Sequence, residues 1–101
     1  MREIERGNTE RLQVTIRDRD GNLADPDTSG GDYQITVTIE DSSETKDVDG
    51  VTMTRSSEGV FYYDWNPASD LTVGNYTVEV TATISSKTFI NRDTVSLVDV
   101  A

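Results

Sequence analysis

Apolar side chains recur at every second position in this chain, and helical spacing is hard to find anywhere in its 101 residues. Leu12, Val14 and Ile16 alternate with Gln13, Thr15 and Arg17. Tyr33, Ile35, Val37 and Ile39 alternate with Gln34, Thr36, Thr38 and Glu40. Successive side chains of a strand point to opposite faces, so each run offers one face to a core and one to water. Phe61, Tyr63 and Trp65 share a face, with Val60, Tyr62 and Asp64 on the other. Val78, Val80, Ala82 and Ile84 follow the same rhythm, as do Phe89, Val95 and Leu97, the last group disturbed by Asn91-Arg92-Asp93. Val48, Val51 and Met53 form a weaker run broken at Asp49-Gly50, where a bulge or a second turn is expected.

Between these runs lie residues with turn chemistry. Asp18-Arg19-Asp20-Gly21-Asn22, Asp41-Ser42-Ser43-Glu44 and Ser56-Ser57-Glu58-Gly59 contain the residue types that tolerate positive φ or bond back to their own backbone. Residues 24–32 read as a loop too polar and glycine-rich to pack, and Asn66-Pro67 ends the aromatic strand because proline donates nothing to a ladder. Turn signals at intervals of roughly ten residues predict an all-β, antiparallel β-sandwich of about seven strands. The length suits one core, so residues 8–101 are expected as a single domain, with 1–7 as an N-terminal arm.

Composition removes several chemistries. There is no cysteine, hence no disulfide and no thiolate metal ligand, and no histidine, hence neither the commonest general base nor the commonest transition-metal ligand. Nineteen acidic residues against nine basic ones give a formal charge of -10, a surface that repels nucleic acid and anionic lipid. Aspartate outnumbers glutamate, and apart from Lys46 and Lys87 the cations are arginine. This pattern resembles proteins of salt-loving archaea, in which repulsion between surface charges is screened within about 3 Å at molar salt. The first residues, Met1 to Arg6, lack the apolar stretch of a secretory signal, and no apolar run is long enough to span a bilayer.

Four groups of residues are candidates for function. Asp18, Asp20 and Asn22, with Asp25 or Asp27 nearby, are a possible oxygen cage for calcium; the same letters spell an ordinary Asp-Gly turn. Carboxylate-pair catalysis needs one acid with a raised pKa, and these acids alternate outward or sit in loops where water keeps them ionised. No catalytic residue and no cofactor is therefore expected. Phe61, Tyr62, Tyr63 and Trp65 have the makings of a sugar platform, although the parity of Phe61, Tyr63 and Trp65 is that of a core face. Arg2, Ile4, Arg6 and Arg11 crowd the start of the chain and are expected to let an N-terminal arm reach a neighbouring protein.

The stretch Leu71-x-x-Gly74-x-Tyr76-x-Val78-x-Val80-x-Ala82 resembles the penultimate strand of bacterial and archaeal immunoglobulin-like domains. Gly59-Val60-Phe61-Tyr62-Tyr63-Asp64-Trp65 is similar to the aromatic strand that precedes it in that family. The resemblance implies that Gly74 permits a tight corner and that Tyr76 caps it by bonding back to backbone. Parity gives Trp65 a structural role in the core, and the absence of the cysteine pair of antibody-type domains means no inter-sheet disulfide. Arg6-Gly7-Asn8-Thr9 and the following Asp18-x-Asp20-Gly21-Asn22 resemble small immunoglobulin-like modules of tailed-virus structural proteins, which usually have Asp where Asn8 stands.

The expected function is accordingly that of a virion structural protein of a tailed virus of a halophilic archaeon: a capsid decoration, a turret or a tail accessory. Its partners would be capsid or tail proteins, or copies of itself in a symmetric assembly, with no nucleic acid and no membrane. A repeat of a cell-surface adhesion or surface-layer protein, and a carbohydrate-binding accessory module, are the alternatives.

Overall fold

The computed structural model describes residues 2–99, and the alternating runs become strands there. In chain order they are β1 (Arg2–Glu5), β2 (Glu10–Thr15), β3 (Thr28–Ser29), β4 (Asp32–Tyr33) and β5 (Ile35–Asp41), then β6 (Lys46–Thr52), β7 (Thr54–Ser57), β8 (Val60–Trp65), β9 (Gly74–Ile84) and β10 (Lys87–Val98). No described residue is helical, so no helix is long and apolar enough to cross a membrane. One sheet has the order β1-β10-β9-β5-β6, a second has β2-β8-β7, and β3 pairs with β4 as a small ribbon. Neighbours are antiparallel except β1, which runs parallel to β10 with Arg2 opposite Val95 and Glu5 opposite Val98.

The architecture is all-β and sandwich-like, because the inner faces of both sheets meet in one core. Ile35, Val37 and Ile39, the odd positions of β5, have no exposed surface. Phe61 and Trp65 oppose them from β8, and Tyr76, Val78, Ala82, Val95 and Leu97 complete the layer. Burying side chains of this size contributes about 1.5–3 kcal/mol each relative to exposure, which is the main force holding the sheets together. The bulge expected near Asp49-Gly50 is present as register shifts between β5 and β6, with Gly50 at a φ of 62°.

Ten strands are found among the described residues where about seven were expected. The additional ones are short or exposed. β7 has no buried residue, and β3 and β4 have two residues each. A strand of two residues, or one with no buried side chain, is too short or too polar to show an apolar rhythm of its own. Part of the Ser56–Gly59 turn is therefore strand, pairing Ser57 with Val60.

Three further expectations change. Residues 1–7 are not a free arm: Arg2–Glu5 is a strand of the larger sheet and Ile4, 2% exposed, lies in the core; Met1 lies outside the described residues. Asn91-Arg92-Asp93 does not disturb the final strand, which runs unbroken to Val98 with its register to β9 intact, but Phe89 is left exposed instead of joining the core. Of the expected loop 24–32, residues 24–27 pack after all, while 28–32 stay exposed. Pro26 is buried, and Asp27 N–H donates to the Thr83 carbonyl at 2.8 Å while Gln34 N–H donates to the Asp27 carbonyl at 2.7 Å.

Candidate interaction surface

The arginines expected to reach a partner are engaged within the chain. Arg2 pairs with Glu10, Arg6 with Asp99 at 3.0 Å, and Arg11 with Asp64 at 2.8 Å. Arg6 also donates to the Leu71 carbonyl at 2.8 Å, and the Arg11 guanidinium stacks 3.9 Å from the Tyr62 ring centre. The hydrogen bond from Arg11 holds the Asp64 carboxyl below its ordinary value, and the same bond raises Arg11. Once β1 joins β10, these side chains lie along the seam between β1, β2 and β8, where carboxylates of neighbouring strands meet them.

The acidic loops are occupied by their own backbone. Asp18 Oδ1 accepts from the N–H groups of Asp20 and Asn22 at 2.9 and 3.0 Å, an Asx-type turn that needs no cation. No group of three acidic side chains placed to hold a metal exists among the described residues. Asp25 and Asp27, offered as helpers of that loop, act elsewhere. Asp25 accepts from Arg55 at 3.1 Å and from Gly59 N–H at 2.8 Å, and both interactions, the arginine foremost, lower its pKa. Gly59 itself has a φ of +73°, and a Cβ there would stand 2.7 Å from the Ile16 carbonyl oxygen, so only glycine fits.

Asp27 has the more unusual task. Ser85 and Ser86 form the two-residue turn between β9 and β10, with φ of 52° and 65°. Positive φ at both positions is the tight hairpin geometry normally given to Asn-Gly. Here the Asp27 carboxylate receives both N–H groups, at 3.0 and 2.8 Å, and so fixes a turn that serine disfavours.

The aromatic strand supplies core packing. Trp65 is 1% exposed, tilts against Tyr76 with ring centres 5.7 Å apart, and donates its indole N–H to Asp47 at 2.7 Å. Phe61 meets Tyr33 edge-on at 5.3 Å. Of the four aromatics of the expected sugar platform, Phe61 and Trp65 are buried and Tyr62 and Tyr63 are half-buried. The Tyr76 hydroxyl donates to the Thr72 carbonyl at 2.7 Å, closing the corner expected after Leu71, and Gly74 has a φ of +139°. Burial raises the Tyr76 pKa.

What the molecule leaves open is one side of the sandwich. β1 covers β10 only at Val95 to Val98, so among the described residues no strand lies on the outer edge of residues 87–94, and β2 is the edge of the facing sheet. Between these two edges runs an open groove of about 850 Å³ whose walls include Val14, Ile16, Ala82, Ile84, Phe89 and Ile90. Phe89 and Ile90 are 54% and 52% exposed, the highest values among the large apolar side chains of the described residues. Arg17, Arg19 and Lys87 line the same groove, with Asp18 beside them. Five other cations are in ion pairs: Arg2, Arg6, Arg11, Arg55 and Arg92. Three of the four cations without an ion pair among the described residues are therefore gathered at one groove, on a chain of charge -10.

The groove escaped sequence reasoning because its members come from two distant stretches, residues 14–19 and the hairpin 80–91. The one available signal was the uninterrupted pair Phe89-Ile90, which puts an apolar side chain on both faces of a strand. No protein-family model matches this chain, and no curated protein matches it.

Proposed function

We propose that this chain is a non-catalytic structural and interaction module with the immunoglobulin-like form of the β-sandwich, and that its setting is the particle of a tailed virus of a salt-loving archaeon. The single observation that carries the docking role is the placing of charge: Asp64 and Asp25 pair with arginine and Asp18 and Asp27 cap turns, while three unpaired cations border an open apolar groove. Surfaces that bury apolar area inside a charged rim are built for association.

Several features support the finer fold. β10, β9, β5 and β6 lie side by side opposite β2, β8 and β7, and Tyr76 bonds back to Thr72 at the corner before its strand. The absence of catalysis is supported by the direction of the carboxyl pKa values. Asp25 and Asp64 are both lowered by arginine, the opposite of what a general acid requires. The archaeal setting is supported by the exposed, aspartate-rich surface, which stays hydrated and screened in concentrated salt. Repetition on a symmetric particle would let each contact be weak, since effective concentration multiplies avidity.

Mass spectrometry of purified particles tests the setting. The polypeptide is expected as a stoichiometric component; its absence from every particle preparation overturns the viral assignment.

A further inference from the structure

We infer that the free half of β10 is a homodimer seam, along which a second copy of this chain lays its own β10 antiparallel across a twofold axis at Ile90. The inference rests on the docking role proposed above and names the occupant of the open side.

β1 shows which atoms of that edge are available, because it already occupies the adjoining part. Arg6 N–H donates to the Val98 carbonyl at 3.0 Å, so Val98 turns its backbone polar groups toward the outer edge. Alternate residues of a regular strand do the same, and the register to β9 is unbroken, so Thr88, Ile90, Arg92 and Thr94 present theirs outward. Two features bound the usable stretch. β1 takes over at Val95, opposite Arg2, and the Thr94 N–H is held by the Asp93 carboxylate at 2.9 Å. Residues 87–93 remain, and Ile90 is their midpoint.

An antiparallel copy centred there matches itself on both faces of the sheet. On the outer face Ile90 would lie against its own counterpart, with Thr88 against Arg92 on either side. These are the outward-turned residues, so each pair would exchange main-chain hydrogen bonds. Phe89 shares the groove face with Ala82 and with buried Val95 and Leu97. On that face Phe89 would lie against Asn91 of the second copy, and the two Phe89 rings would stand on the diagonal, within reach of each other. Lys87 has the same parity and would lie against Asp93. Neither is in an ion pair within its own chain among the described residues, and the axis sets them opposite each other at both ends of the seam. Arg17 and Arg19, which follow β2 in the chain, take no part.

Inward charges ordinarily protect an edge from pairing. Here they select one register. Pairing shifts in steps of two residues, since a single step turns the wrong groups to the seam. Two residues toward β1, Lys87 would meet Val95, which β1 already covers. Two residues the other way, it would meet Asn91 and leave Asp93 unmatched. The outer strands β6 and β7 are broken by register shifts, a device against pairing that the free half of β10 lacks. Residues 87–93 span about 23 Å of edge, a small contact, and a dissociation constant of about 0.1 mM is expected. The chain is then a monomer at about 5 μM.

Sedimentation velocity of the full chain tests the seam, from about 10 μM to about 1 mM protein. Salt of about 1 M screens repulsion between distant charges and leaves partly buried pairs much less affected. The mean mass is expected to rise from monomer toward dimer, and amide exchange at Thr88, Ile90 and Arg92 to slow about three-fold or more at the highest concentration. The chain has no cysteine, so Ile90→Cys reads the register. Residues opposite each other in such a pair have Cα atoms about 5.5 Å apart, and a disulfide between copies is expected on mild oxidation. Thr88→Cys, which does not face itself, is expected to cross-link at least about ten-fold more slowly. Lys87→Asp and Asp93→Lys touch no core residue; each sets like charges at both ends and is expected to weaken the dimer about ten-fold. An equimolar mixture of these two variants restores opposite charges and is expected to recover association to within about three-fold of wild type.

A monomer at every concentration, equal cross-linking at positions 88 and 90, protection at another edge, or a mixture no better than its separate variants would each overturn the inference. The protein's abundance in particles separates this from the broader reading. A wild-type chain present in particles but monomeric in solution discards the seam alone, whereas its absence from particles discards the viral setting and not the seam.

Discussion

The two halves of β10 have the same neighbour in β9, yet their apolar side chains meet opposite fates. At its C-terminal half Val95 and Leu97 are 2% and 1% exposed. At its N-terminal half Phe89 is 54% exposed, though it stands at the same parity. The difference is β1, four residues that close the edge at 95–98 and stop there. Alternation therefore states which way a side chain points, and a strand from elsewhere in the chain decides whether anything meets it. The cations follow the same division. Arg2, Arg6 and Arg11 near β1 are paired, whereas Arg17, Arg19 and Lys87 at the groove are not; Arg92, also on the open half, is held by Glu79.

This contrast has measurable consequences, the greatest on the closed half. Trp65→Ala removes the largest buried side chain and is expected to cost about 3–5 kcal/mol, read from urea unfolding by far-ultraviolet circular dichroism. A midpoint close to wild type would mean that the closed half is not the stability centre. Ile4→Ala is expected to lose about 2–4 kcal/mol in the same assay, because β1 is part of the core. If the change proves silent, residues 2–5 act as the arm that their sequence suggested, and the contrast disappears. Tyr76→Phe keeps the ring and deletes the bond to Thr72, so a loss of about 1 kcal/mol is expected.

Acid sharpens the division between paired and unpaired cations. Arg55 and Arg11 hold Asp25 and Asp64 below the ordinary value of 3.8. With the folded-state values depressed, the unfolded chain takes up these protons first, so the stabilisation is complete above that value and is lost as pH falls through the lowered ones. Urea midpoints followed from about pH 5 down to about pH 2 should fall less steeply in Arg55→Gln and Arg11→Gln than in wild type. Arg17→Gln and Arg19→Gln should leave the slope unchanged. The smallest effect is expected at Phe89. Phe89→Ser should alter stability by no more than about 0.5 kcal/mol, since the ring is half in water already. A loss as large as that of Ile4→Ala would show that the open half is packed in solution and that the groove is closed.

Much of the fold was readable before any coordinates. Ile35, Val37 and Ile39 read as one buried face and are fully buried; Phe61 and Trp65 read as core and are core. The Asp18 turn and the Tyr76 corner also follow from local chemistry, since their bonds join residues no more than four apart. The candidate site was not readable in this way. Arg6 and Arg11 looked free because their acids, Asp99 and Asp64, lie 93 and 53 positions away, and Arg2 because Glu10 reaches it from the facing sheet. Asp27 looked like a loop residue because its partners Ser85 and Ser86 lie 58 and 59 positions away.

By itself, then, the sequence determined the strand-forming rhythm, the side of each strand that seeks a core, the sites of the turns and the acidity of the surface. These depend on backbone geometry and side-chain type over a few residues. Only the tertiary structure decided that four residues beside β10 would shelter Val95 and leave Phe89 in solvent. Coverage is a property of non-local pairing, and no periodicity within β10 encodes where a distant strand will end.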